Sequence, residues 1–164
     1  MVGCRGGFQH TPGRGMNGVE QMVGRAQLEA QLYDLWHDVD TNCGRTAAAF
    51  YTDDAVFGGK DITYTGRKEI ESFYAWRVNR GDRVAVHSVT NFRAKFETPD
   101  IAHASWYLLA YAADGVAVLP SQAPIQICLV TDRHERQPDG KWLCAHRNFE
   151  VLFAGTAKPV YPKA

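Results

Sequence analysis

The sequence predicts an α+β fold, a cone-shaped, strongly bent antiparallel sheet wrapped round a long N-terminal helix. Three observations lead there. Every segment with helical periodicity lies before Gly81. Four β-rich runs follow it: "RVAVHSVTNFRAKFE", "IAHASWYLLAYAA", "APIQICLVTDRHER" and "KWLCAHRNFEVLFAG". The runs are joined by "TPD", "DGVAVLPSQ" and "QPDG", which is turn chemistry rather than crossover helices. Helices first and antiparallel strands after is the α+β plan, and 164 residues suffice for one such domain with a real core.

The elements follow in order. Residues 1–18, "MVGCRGGFQHTPGRGMNG", read as a flexible leader. They hold no apolar segment of the kind a signal peptide needs, and Met16 or Met22 is an alternative natural start. From Val19 to Thr41 the chain has helix formers, no proline, and apolar residues at 28, 32, 35 and 39. Those steps of four, three and four make an amphipathic helix, which Gly44 breaks. "RTAAAFYTDDAVF" then reads as a short helix entering a brief strand. A second helix runs from Arg67 to Arg80 and ends at Gly81. The last two β-runs form a hairpin through Pro138, Asp139 and Gly140. The folded domain therefore spans 19–155, with a C-terminal tail at 156–164.

Composition narrows the function. Zero formal net charge and 45% apolar residues exclude a disordered chain, and they leave no basic stripe for nucleic acid. No apolar run approaches the roughly 18 residues of a membrane span. Cys4, Cys43, Cys128 and Cys144 show neither a CxxC pair nor zinc-ligand spacing. Free thiols suit a cytoplasmic protein, with Cys128 and Cys144 filling small apolar slots in strands. "GRGMNG" follows no strand and lacks dinucleotide-loop spacing, so neither a metal nor any other cofactor is expected.

Chemistry gathers on two elements. On the first helix Tyr33, Trp36, His37 and Asp40 fall at i, i+3, i+4 and i+7, a mixed polar and aromatic stripe suited to a pocket wall. On the strands, His87 and Asn91 share one parity, as do His103, Ser105 and Tyr107. If those faces line the cone, a mostly apolar cavity carries histidine, carboxylate and hydroxyl groups at one end. Asp40 beside His87 would supply an acid/base pair, the carboxylate fixing the imidazole tautomer so that the other nitrogen moves a proton. Arg147 or Asn91 would hold charge developing on a substrate oxygen. Tyr33, Trp36, His103 and Tyr107 would contact the substrate. Structural roles compete for the same residues: Arg147 can pair with Glu150, Asn91 can serve as a strand hydrogen-bonder, and the tryptophans can be core. His134 and His146 read as surface residues, and Arg77, Arg80 and Arg83 as a solvated face from which Arg77 can dip inward.

The phrases "YTDDAVF", "GRKEIESF", "HSVTN" and "DGKWLCAHR…F", covering roughly residues 21 to 155, resemble the SnoaL-like branch of the nuclear-transport-factor-2-like superfamily. The resemblance implies the cone fold. It also implies, from scytalone dehydratase and hexachlorocyclohexane dehydrochlorinase, an aspartate near the end of the first helix and a histidine on the first long strand. Asp40 and His87 match those positions, and Arg147 matches the dehydrochlorinase arginine of the final strand. A tyrosine and a second histidine of scytalone dehydratase find no match at "FGGKD" or Ser105, which argues against scytalone as substrate.

The expected function is a cofactor-independent lyase acting on a small aromatic compound by loss of water or retro-aldol loss of a one-carbon fragment. Lignin-derived diaryl compounds are one class, since diarylpropane lyases belong to the superfamily. An isomerase or polyketide cyclase is the enzymatic rival. A non-catalytic assembly domain, like the β-subunit of a ring-hydroxylating dioxygenase, is the rival from another class. A deep cavity holding the dyad favours catalysis over assembly. The outer face of the sheet suggests a homodimer or homotrimer.

Overall fold

The computed structural model describes residues 15–156. Helix α1 (Gly18–Thr41) is followed by a 3₁₀ turn (Ala47–Phe50), strands β1 (Tyr51–Gly59) and β2 (Thr63–Thr65), and helix α2 (Arg67–Asn79). Four long strands complete the chain: β3 (Arg83–Thr98), β4 (Ile101–Asp114), β5 (Gln126–Arg136) and β6 (Trp142–Ala154). They form a single bent, unclosed sheet in the order β2-β1-β6-β5-β4-β3. The expected antiparallel pattern holds for every pair but one, since β1 runs parallel to β6. That pairing is possible because β1 and β6 are far apart in the chain, with α2 and four strands between them, so no hairpin constrains their relative direction. Among the described residues no helix is long and apolar enough to cross a membrane.

The leader and tail expected at either end fall mainly outside the described residues. Within them the leader boundary moves, because Asn17 is the N-cap of α1. Its side-chain oxygen accepts from the Val19 and Glu20 amides at 3.0 Å, and the Glu20 carboxylate accepts from the Asn17 amide at 2.7 Å. This reciprocal capping satisfies otherwise unpaired N–H groups of the first turn. Leu28, Leu32, Leu35 and Val39 bury the predicted stripe against the sheet and, at its edge, β3. At the far end the Gly44 amide donates to the Asp38 carbonyl at 3.0 Å, with φ of 77°.

Side-chain direction along the strands decides which residues reach the interior. On β4 the even positions Ala102, Ala104, Trp106, Leu108 and Ala110 are buried. On β3, His87 and Val89 point inward, yet beyond a bulge the inward set becomes Phe92, Ala94 and Phe96. Register slips by one residue between Thr90 and Arg93, and Asn91 takes a left-handed φ of 56° there. A one-residue bulge exchanges the faces of everything after it. A second slip, between Arg133 and His134, lets both Cys144 and Arg147 of β6 point inward.

Gly44, in the turn after α1, is also where the chain packs against α2: a Cβ added there would lie 2.4 Å from the Tyr74 ring. Gly44→Ala should destabilise the domain by about 1–3 kcal/mol, combining left-handed strain with displacement of a cavity-wall tyrosine. Urea unfolding monitored by circular dichroism would measure it, and an unchanged midpoint would count against this packing.

Candidate functional site

A cavity of about 370 Å³ lies between α1, α2 and the concave face of the sheet. Trp36, Phe57, Tyr64, Phe73, Leu108 and Phe149 supply its apolar wall. His87 of β3 lines it too. Asp40, at the C-terminal end of α1, stands behind the histidine. One carboxylate oxygen lies 2.5 Å from His87 Nδ1, and the other accepts the His87 backbone N–H at 2.8 Å. Their side chains are 18% and 11% exposed, so solvent screens the pair little. A carboxylate at a helix C-terminus meets an unfavourable dipole, which the two hydrogen bonds from His87 offset.

The Trp36 indole stacks on the His87 ring, with centroids 4.2 Å and planes 14° apart. Contact with Asp40 from one side and Trp36 from the face leaves the imidazole little rotational freedom. With Nδ1 donating to Asp40, Nε2 is the bare nitrogen, and it has no protein partner among the described residues. A single imidazole so held can accept a proton from a molecule in the cavity and return it.

The other sequence-predicted residues scatter. Tyr33 is 49% exposed and donates its hydroxyl to Glu29 at 2.8 Å. It and exposed His37 lie farther round α1 than Trp36 and Asp40, past the edge of the buried stripe. Asn91 is exposed because the bulge breaks the parity it shares with His87. His103 and Tyr107 sit on the outer face of β4, opposite the buried even positions, and His103 pairs with Glu97 at 2.8 Å. None of these five lines the cavity.

Arg147 is buried, but below the cavity wall rather than in it. Its Nε and Nη2 donate to the two oxygens of Asp132 at 2.8 and 2.7 Å, and Nη1 donates to the Tyr51 hydroxyl at 3.2 Å. The Asp132 carboxylate also accepts from Trp106 Nε1 at 3.0 Å and lies 3.4 Å from His134 Nε2. The guanidinium therefore pairs with Asp132 rather than Glu150; it lies against Trp36, Tyr51 and Trp106, supporting the platform under His87. His134, read from sequence as a surface residue, is 4% exposed. Burial alone would raise the Asp132 carboxyl, but Arg147 and His134 outweigh it and hold the group well below the usual carboxylate range. Asp132, His134 and Cys144 bring possible metal-ligand atoms within 4.8 Å of one another. Arg147 and Trp106 already donate to both Asp132 oxygens, and the Cys144 thiol, which burial pushes upward, donates to the His146 carbonyl, so these groups have protein partners of their own.

Arg77, Phe57 and Tyr74 line the cavity and were not among the expected site residues. A signal for Arg77 existed: Ile70, Phe73, Tyr74 and Arg77 follow the i, i+3, i+4, i+7 rule of one helix face.

Residues 19–148 match the family model of a SnoaL-like domain. No curated protein matches the chain in sequence. Among solved structures, a candidate scytalone dehydratase from Novosphingobium aromaticivorans superposes with a TM-score of 0.74 at 16% identity, covering 87% of this chain and 93% of that one. Hexachlorocyclohexane dehydrochlorinase LinA-type3 from Novosphingobium barchaimii gives 0.66 at 22% identity, covering 89% and 100%. ActVI-ORFA from Streptomyces coelicolor gives 0.65 at 18%, covering 77% and 96%. At these identities the likeness is one of fold.

The Asp132–Arg147 pair generates a stability prediction. Removing one partner, as in Asp132→Asn or Arg147→Met, should cost about 3–5 kcal/mol by stranding the other, whereas Asp132→Leu with Arg147→Met should recover most of it. Because the Asp132 carboxyl is depressed on folding, its contribution is full above its ordinary value of 3.8 and is lost as pH falls below that toward the lower folded value. Chemical unfolding from pH 7 to pH 2 should show a steeper acid loss in the wild type than in the double variant. Parallel curves would contradict the assignment.

Proposed function

The chain belongs to the SnoaL-like domain family, and from that premise we propose that it is a cofactor-independent lyase for small aromatic compounds, with His87 as the acid/base group and Asp40 as its positioning partner. The observation that carries this reading is the 2.5 Å contact between Asp40 and His87 Nδ1 at the wall of an aromatic cavity. The cavity volume lies in the range of small-molecule sites, and the ring-lined wall favours a flat apolar ligand.

In an elimination, His87 Nε2 takes a proton from the carbon next to the one bearing the leaving group. The C–H electron pair becomes the new C=C bond and the C–O bond breaks. The departing hydroxide then receives the proton from the imidazolium and leaves as water. In the retro-aldol variant Nε2 takes the hydroxyl proton, the C–C bond breaks with release of formaldehyde, and the proton returns to the remaining carbon. A para-phenol on the substrate helps by expelling a benzylic leaving group to form a quinone methide, which then accepts the electron pair released from the C–H or C–C bond as the ring regains aromaticity. In either variant the imidazolium sits against the Asp40 carboxylate and the Trp36 face. Arg147, committed to Asp132, is no longer the group that stabilises charge on the substrate. A cavity enclosing His87 favours catalysis over the assembly-domain alternative. Isomerisation would use the same proton transfer and differ only in the absence of a leaving group. Exposed Val151, Leu152 and Phe153 at the end of β6 favour a homo-oligomer.

Asp40→Asn and His87→Ala should each keep the fold and lower kcat by about 10²–10⁴, the range of a positioned acid/base. The check is a panel of aryl carbinols followed by NMR for loss of water or formaldehyde. Wild-type rates in His87→Ala would end the proposal.

A further inference from the structure

Arg77 is a cation with no partner inside the cavity. It stands on α2 beside Phe73 and Tyr74 and lines the same space as His87. Its Nε is buried without a hydrogen-bond acceptor, and no ion pair reaches it among the described residues. The charged and titratable groups around it do not compensate. Asp40 attracts Arg77 through space, but both its oxygens are committed to His87 and burial of the guanidinium outweighs the attraction. Tyr74 is a phenol that burial raises and keeps neutral. Arg80 and Arg83 add like charge and share the exposed Asp114 at 3.2 and 2.6 Å. Lys60, Asp61 and Glu150 complete the charged residues of the lining.

A second atom points the same way. Trp36 Nε1 is also buried with no acceptor, on a residue lining this cavity. Both atoms are donors, so a complementary ligand must bring acceptors. Buried donors without partners are rare in native proteins, and a half-buried guanidinium whose Nε lacks an acceptor is stabilised when an anion joins it. Burial correspondingly lowers the Arg77 pKa. A guanidinium presents its N–H groups as a planar fork that matches a carboxylate in two parallel hydrogen bonds. The aromatic wall leaves room beside that fork for a ring.

We infer that Arg77 is the anion-reading residue of this cavity and that its ligand is an aromatic carboxylate. The inference rests on the lyase reading only in taking this cavity as the substrate site.

The test compares 2-naphthoate with its neutral isostere 2-naphthamide by isothermal titration calorimetry. The full chain is used as wild type, Arg77→Met and His87→Ala. Wild type should bind naphthoate about tenfold or more tighter than naphthamide, the scale of charge-assisted hydrogen bonds. Arg77→Met should lose that preference while still binding naphthamide, and His87→Ala should keep it. Arg77→Met should also melt at or above the wild-type temperature, because it removes a half-buried charge that has no ion-pair partner among the described residues. Equal binding of the two probes by wild type would overturn the inference, and so would a preference that survives Arg77→Met. Melting of Arg77→Met several degrees below wild type would make the arginine structural and likewise overturn it. If the preference tracks Arg77 while Asp40→Asn and His87→Ala turn over normally, the lyase reading fails and this one stands.

Discussion

The Asp40 carboxylate ties the helix to the sheet. Strand β3 is the exposed edge of the sheet, and its His87 N–H needs an acceptor. One Asp40 oxygen supplies it at 2.8 Å, pinning the end of α1 to β3. The second oxygen takes the imidazole of the same residue. One side chain thus sets both where the helix ends over the sheet and which way the histidine faces. The position of His87 Nε2 in the cavity follows from that double contact, since neither α1 nor β3 can shift without breaking it.

Beneath this contact lies a layer that carries no substrate and still determines the site. Trp36 meets His87 on one side and Trp106 on the other, at 4.2 and 6.0 Å between centroids. Trp106 in turn donates to Asp132, which Arg147 neutralises. A buried ion pair is weak evidence for stability, because desolvation opposes its Coulombic attraction. Its effect here is geometric: the paired charges fix the two indoles, and the indoles fix the imidazole. Arg77, on α2 at the same cavity, is the contrasting case of a cation held near the ligand space with no ion-pair partner among the described residues.

Much of the fold was legible in the sequence because it depends on periodicity. The stripe at Leu28, Leu32, Leu35 and Val39 and the hairpin at Pro138–Gly140 needed only spacing and turn chemistry. Asp40 and His87 were legible from their placement on two elements and from the family resemblance. Asn91 was misplaced by reading strand parity as if it ran unbroken, and His103 and Tyr107 by choosing the wrong face of β4. A bulge at Asn91 leaves little trace in sequence, since asparagine tolerates left-handed φ without demanding it. The outward facing of His103 and Tyr107 was recoverable: Ala102, Ala104, Trp106, Leu108 and Ala110 form an unbroken apolar parity, which is the stronger core signal. Arg147 was placed on the right element with the wrong partner, because Asp132 lies on another strand and the register slip joining them has no local signature. The Asn17 cap and the Arg77 stripe were both written in local spacing and needed closer reading.

The central claim is that Asp40 holds His87 as the tautomer with Nδ1 protonated and Nε2 bare toward the cavity. A ¹H–¹⁵N correlation spectrum of histidine-labelled protein tests it most directly, recorded in alkaline buffer where an imidazole is neutral and assigned by the signal missing in His87→Ala. The account predicts a protonated-type Nδ1 and a bare-type Nε2 for His87. A His87 signal from the opposite tautomer, with the proton on Nε2, would contradict it.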